Sequence, residues 1–138
     1  GLNGLIIVLF EMPFIKSLEH VRKYMTMISI GSFFMIFAFL TLLTGWHHIF
    51  PALLFIVLMS FAEMFAMPFM TNYAVSKPSE NRRGQYMALY SMAYGIAHIL
   101  APVGSLAIAD KFGFQYTYIL MIIMSLGLTI SFFSLSKR

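Results

Sequence analysis

The sequence predicts an all-α, polytopic membrane protein, and three observations carry that expectation. Sixty per cent of the residues are hydrophobic and 10% are charged, with a mean hydropathy of +0.85, against the roughly half-apolar, quarter-charged make-up of soluble domains. The apolar residues fall into long runs joined by loops too short to hold a soluble domain. The basic residues cluster in alternate loops, as they do when a chain crosses a bilayer back and forth.

Five apolar segments follow in order: Gly1 to Ile15, Met25 to Leu43, Ile49 to Val75, Gly84 to Ala109 and Phe114 to Leu135. All but the first are long enough to cross about 30 Å of hydrocarbon at 1.5 Å per residue. The first is expected to be cut short at its start. It has no basic leader and no small-residue cleavage site, so it does not read as a signal peptide. The chain also starts without methionine and is read as a fragment or a processed piece. The connections are SLEHVRKY, TGWHH, SKPSENRR and DKFG. Residues 1–138 are thus expected to form one helical membrane unit.

The net charge of +4 is a matter of topology rather than of nucleic-acid binding. Lys16, Arg22 and Lys23 flank the first loop, Lys77, Arg82 and Arg83 the third, and Lys137 and Arg138 the end, while the other loops carry Lys111 alone. The basic side is expected to be cytoplasmic, which puts the C-terminus inside. Trp46 on the outer side, with Tyr24 and Tyr86 near the inner boundaries, fits an interfacial aromatic belt. The chain has no cysteine, which excludes disulfide frameworks and thiolate metal sites. Five spans ending inside match a six-helix transporter half that lacks its first helix, since such halves repeat a three-helix unit in inverted orientation.

Three ionisable side chains, Glu11, Glu63 and His98, lie within apolar runs. Glu63 and His98 fall near the centres of their runs, close to the bilayer midplane. A charge at that depth costs on the order of 3 kcal/mol on insertion scales, so such residues face a wet cavity or a bundle interior. Low dielectric disfavours the charged form of either group, which makes both candidate proton-exchanging residues. Glu11 sits near Lys16 at the inner boundary, where a local ion pair or a gate contact is expected. Each of the three precedes a proline. Pro13, Pro68 and Pro102 would free the carbonyls of Leu9, Met64 and His98, and discontinuous helices of this kind line midplane sites in secondary transporters.

Met59 and Met67 lie four residues either side of Glu63, and Met70 seven beyond it, so three thioethers share its helix face. Flexible, polarizable methionines suit promiscuous apolar binding surfaces. The competing reading of Glu63 is a protonated carboxyl bonded to a neighbouring helix or to the carbonyl freed by Pro68. For His98 it is a neutral ring satisfied inside the bundle. Ala93, Ala97, Ala101, Ser105 and Ala109 recur every four residues as a small-residue stripe for close helix packing, with Tyr94 and His98 turned about a quarter-turn away. There is no phosphate-binding glycine loop, no H-E-x-x-H and no nucleophile elbow. Adjacent His47 and His48 splay apart and do not make a metal site by themselves. No enzyme, cofactor or metal centre is expected.

The residues resemble a known family. The whole chain is similar to the last five helices, eighth to twelfth, of a major facilitator superfamily transporter, most like bacterial multidrug proton antiporters. Glu63 through Pro68 matches a G-E-x-x-x-x-P element of the tenth helix, with Ala62 in place of the glycine. Pro78, Arg83, Gly84 and Tyr90 match the P-x-x-x-x-R-G-x-x-x-x-x-Y entry to the eleventh helix, and Pro102, Asp110 and Gly113 resemble the proline and D-x-x-G that end it. Asn3 and Pro13 look like the polar and proline positions of the eighth. Ala88 and Ala101 stand where relatives have glycine, and SLEHVRK only faintly matches the superfamily's basic D-R-x-G-R-R loop.

The resemblance implies the carboxyl half of a proton-coupled carrier that moves a small organic solute, of the drug-efflux kind, across a bacterial inner membrane by alternating access. Its expected partners are membrane lipid, protons, a small-molecule substrate and an amino-terminal half of the same transporter, with no nucleic acid. Glu63, His98, Met59, Met67, Tyr94 and Asn3 are the expected proton-coupling or substrate-binding residues. Glu11, Arg22, Lys23, Arg82 and Arg83 are expected in gates or cytoplasmic loops, and the three prolines at helix kinks. A proton-coupled symporter of a peptide or metabolite, and a non-transporting membrane scaffold subunit, stand as alternatives.

Overall fold

The computed structural model describes residues 1–18, 24–44 and 49–137. Among these residues there are five α-helices, one short 3₁₀ turn and no strand: α1 Leu2–Leu18, α2 Tyr24–Thr44, α3 Ile49–Ser76, the turn Glu80–Arg82, α4 Arg83–Phe112 and α5 Phe114–Ser136. Helices α2 to α5 are long and apolar enough to cross a membrane, and α1, with 17 residues, is shorter. In hydrocarbon every backbone N–H and C=O must be satisfied inside the protein, and helices do this within one segment. That is why runs this apolar fold as helices. The expectations for Arg22, Lys23, Trp46, His47, His48 and Arg138 lie outside the described residues.

Helix α2 is the centre of the bundle, packed on α3 along one side and on α5 along the other; α1 lies against α3, and α4 touches both α3 and α5. The buried face of α2 carries Ile28, Ser29, Gly31, Ser32, Ile36 and Ala38. Small side chains let membrane helices approach closely, and Gly31 is the clearest case. A Cβ there would stand 2.8 Å from the Ala62 carbonyl oxygen and 3.0 Å from the Ala66 Cβ. The buried hydroxyls of Ser29 and Ser32 donate to the carbonyls of Met25 and Ile28, one turn earlier, so neither is left unpaired. Aromatic rings join three helices: Phe34 of α2 stacks on Phe65 of α3 at 5.6 Å, and Phe14 of α1 meets Phe65 edge-on at 4.6 Å.

The ends of the helices fix their relative directions. The Thr26 and Ser136 hydroxyls lie 2.6 Å apart, and the rings of Tyr24 and Tyr73 are 6.5 Å apart. The start of α2 therefore meets the ends of α3 and α5 at one end of the bundle. At the other end α4 turns into α5 through Gly113 alone. Its φ of 93° lies in the left-handed region that glycine adopts without strain, and its N–H closes on the Ala109 carbonyl at 2.9 Å.

Two expectations change here. Helices α1, α3 and α4 run without a break through Pro13, Pro68 and Pro102, so they are continuous rather than discontinuous. A proline removes one backbone bond, and the remaining bonds of a long helix carry it past that point. The small-residue stripe of α4 is also more open than a packing face. Only Ala109 of this helix is buried, and Ala97, Ala101 and Ser105 line a cavity instead.

Candidate functional site

Helix α3 carries Met59, Glu63, Met67 and Met70 along one face, at the four- and three-residue spacings that stack side chains. Helix α4 faces it with Tyr94 and His98, one turn apart, above the small surface of Ala97 and Ala101. Between them lies a cavity of about 710 Å³, which Met35 of α2 and Met121 of α5 also line. The volume falls within the range of about 300–1,000 Å³ usual for small-molecule sites. The small residues of α4 explain the space. Where Ala97 and Ala101 stand, larger side chains would fill it.

The wall is almost wholly apolar, with a carboxyl, an imidazole, a phenol and a hydroxyl as its polar groups. His98 sits edge-on to the Tyr94 ring at 4.4 Å, and Tyr94 in turn stacks with Tyr90 at 6.3 Å. The three rings form a ladder along α4, each one turn from the next. Five thioethers and an aromatic rim offer a deformable surface for apolar groups, and Glu63 offers the single carboxyl of this cavity.

Glu63 is half-buried and belongs to a second cluster as well. The Asn3 amide nitrogen donates to Glu63 Oε2 at 3.1 Å, and Ser60, fully buried, donates its hydroxyl to Asn3 Oδ1. Ser60 Oγ also lies 2.8 Å from the Ile56 carbonyl oxygen. Ser60 and Glu63 are three residues apart on α3, and Asn3 reaches them from the first turn of α1. The carboxyl thus joins two structures: the cavity shared with α4 and a polar tie to α1.

The sequence-derived candidates separate accordingly. Glu63, His98, Met59, Met67 and Tyr94 come together in one cavity, and Asn3 lies behind it on Glu63. Tyr94 and His98 share the cavity with the small stripe rather than turning away from it. Glu11 is half-buried and Lys16 exposed on α1, and the expected pair between them does not form. Five residues on a helix leave side chains about 140° apart around the axis, off a common face. Arg82 and Arg83 are exposed where α4 begins, distant in sequence from the cavity residues. Sequence reasoning missed Ser60, Met35 and Met121. For Ser60 a signal existed: it precedes Glu63 by three residues and so shares its face.

No curated protein and no solved structure matches this chain. The sequence model of the Major Facilitator Superfamily does match, over residues 1–138, and the chain belongs to that superfamily of membrane transporters.

Proposed function

We propose that this chain is the carboxyl-terminal part of a proton-coupled carrier that exports a drug-like organic solute, with the cavity between α3 and α4 as its share of the binding site. The observation that carries the reading is the meeting of Glu63 and His98 with Met59, Met67 and Tyr94 around one volume of about 710 Å³. Thioethers and aromatic rings would hold the apolar body of a substrate, and a carboxylate would select a cationic or polar group on it. An amino-terminal half would supply the opposite wall. The carrier would lie in a bacterial inner membrane with its C-terminus in the cytoplasm.

In this mechanism Glu63 exchanges a proton and substrate in turn. Its charge state biases inward- and outward-facing forms only through differential interactions with its surroundings, and the contact with α1 is one such interaction. The test is uptake of a panel of lipophilic cations into proteoliposomes on an imposed pH gradient, comparing the carrier with its Glu63→Gln variant. The expected result is loss of proton-driven transport by about tenfold or more, since a charge-assisted interaction is removed, with normal expression. Full proton-driven transport by Glu63→Gln would sink the role given to Glu63.

A further inference from the structure

We propose that Ser60, Asn3 and Glu63 form a reversible hydrogen-bond relay, in which a half-turn of the Asn3 amide satisfies Glu63 in both of its protonation states. The relay rests on the reading of Glu63 as the proton-exchanging group and adds two positioning residues to it.

In one state Glu63 is a carboxylate and can only accept. The Asn3 Nδ2 then donates to Oε2 at 3.1 Å, and Asn3 Oδ1 accepts from the Ser60 hydroxyl. All bonds run in one direction, from α3 to α1 and back to α3. When a proton binds, Glu63 becomes a donor. Turning the amide by 180° exchanges two atoms of nearly equal size, so the same partners serve. The Asn3–Ser60 separation need only widen by a few tenths of an ångström, from the 2.5 Å of the O–H···O bond to about 2.9 Å for an N–H···O bond. Glu63 now donates to Asn3 Oδ1, Asn3 Nδ2 donates to Ser60 Oγ, and the Ser60 hydrogen turns to the Ile56 carbonyl, already 2.8 Å away. The chain of bonds has reversed, and each bond of the first state has a counterpart in the second.

This arrangement answers a problem of depth. A carboxyl bonded in one state only would carry a desolvation penalty in the other, and the exchange would stall on that side. An asparagine is the residue that can answer both, because it offers a donor and an acceptor from one planar group. Leucine has the same shape and neither bond. The balance of the step is simple: one proton enters from the cavity and resides on Glu63, and no other group gains or loses one. The titratable groups facing Glu63 across the cavity are His98 and Tyr94 of α4; α2 and α5 present Met35 and Met121 there. On α1, Glu11 and Lys16 lie eight and thirteen residues beyond Asn3, roughly 12 and 20 Å along the axis.

The experiment is infrared difference spectroscopy of the carrier in lipid nanodiscs as pH is varied, with asparagine side chains isotopically labelled. The proteins compared are the wild type, Glu63→Gln, Asn3→Leu and Ser60→Ala. The wild type should show a carboxyl band that appears on acidification, is absent in Glu63→Gln, and is accompanied by a change in the labelled amide band. Asn3→Leu should abolish that amide change. Asn3→Leu and Ser60→Ala should each move the carboxyl band in frequency, because the protonated acid loses its partner in the first variant and that partner loses its own support in the second. If Asn3→Leu does not fold, Ser60→Ala makes the same comparison. A wild-type spectrum without the band would overturn the proton role of Glu63 and the relay with it. A band that Glu63→Gln removes, but that neither relay variant moves, would overturn the relay alone.

Discussion

His98 contributes two separable things to the cavity wall: an aromatic edge against Tyr94 at 4.4 Å, and a ring nitrogen that binds protons. Edge-to-face aromatic pairs contribute about 0.5–1.5 kcal/mol beyond burial, so a substitution that keeps the ring isolates the second role. His98→Phe is therefore expected to leave expression and thermal stability unchanged while lowering proton-driven transport several-fold. Thermal unfolding beside transport on an imposed pH gradient checks it. Transport equal to wild type would return His98 to a packing role. At this scale the sequence was partly legible. Glu63 and His98 stood out because charge is rare at the midplane, and they do meet in one cavity. Ser60 did not stand out, because an alcohol in a membrane helix usually bonds the carbonyl one turn back. Ser29, Ser32, Thr71 and Thr129 all do so here. Ser60 makes that contact and a second to another helix, and only the three-dimensional structure separates it from the others.

Which face of each helix is inward was much harder to read than the helices themselves. In water a helix betrays its buried side by polarity, but lipid is as apolar as a neighbouring leucine, so these helices are apolar on all sides. Met35 and Met121 were invisible as site residues for this reason. Small residues are the better guide, and they mark two different surfaces. Gly31 of α2 is buried against α3, whereas Ala97 and Ala101 of α4 leave the cavity open. The difference yields a prediction. Gly31→Ala places its methyl against backbone, 2.8 Å from the Ala62 carbonyl oxygen, and must push α2 off α3. The expected loss is about 1–3 kcal/mol, the usual range for overpacking, measured by denaturant unfolding in mixed micelles. Gly95→Ala on α4 meets nothing within 4 Å, and about 1 kcal/mol of stabilisation at most is expected from helix propensity. Equal stability of the two variants would mean that α2 and α3 separate at no cost.

For the molecule as a whole, the alternation of basic and non-basic loops gave an expected sidedness, and the packing adds which helix ends lie together. Lys77 lies over the Tyr73 ring at 5.2 Å and Lys137 over Phe133 at 4.8 Å, at the same end where Thr26 meets Ser136 and Tyr24 meets Tyr73. Asp110 and Lys111 lie at the far end of α4, beside Gly113, one full span away. If the basic end is cytoplasmic, a membrane-impermeant thiol reagent applied to intact cells should react with a cysteine at position 110 or 111. It should leave one at 77 or 137 untouched until the membrane is opened. Residues 1–138 contain no cysteine, so within them Asp110→Cys, Lys111→Cys, Lys77→Cys and Lys137→Cys each report a single position. The reverse pattern would invert the topology but leave the bundle intact, because the helix contacts fix only which ends lie together. Labelling of 77 and 137 on opposite sides would contradict the bundle itself, since α3 and α5 end side by side.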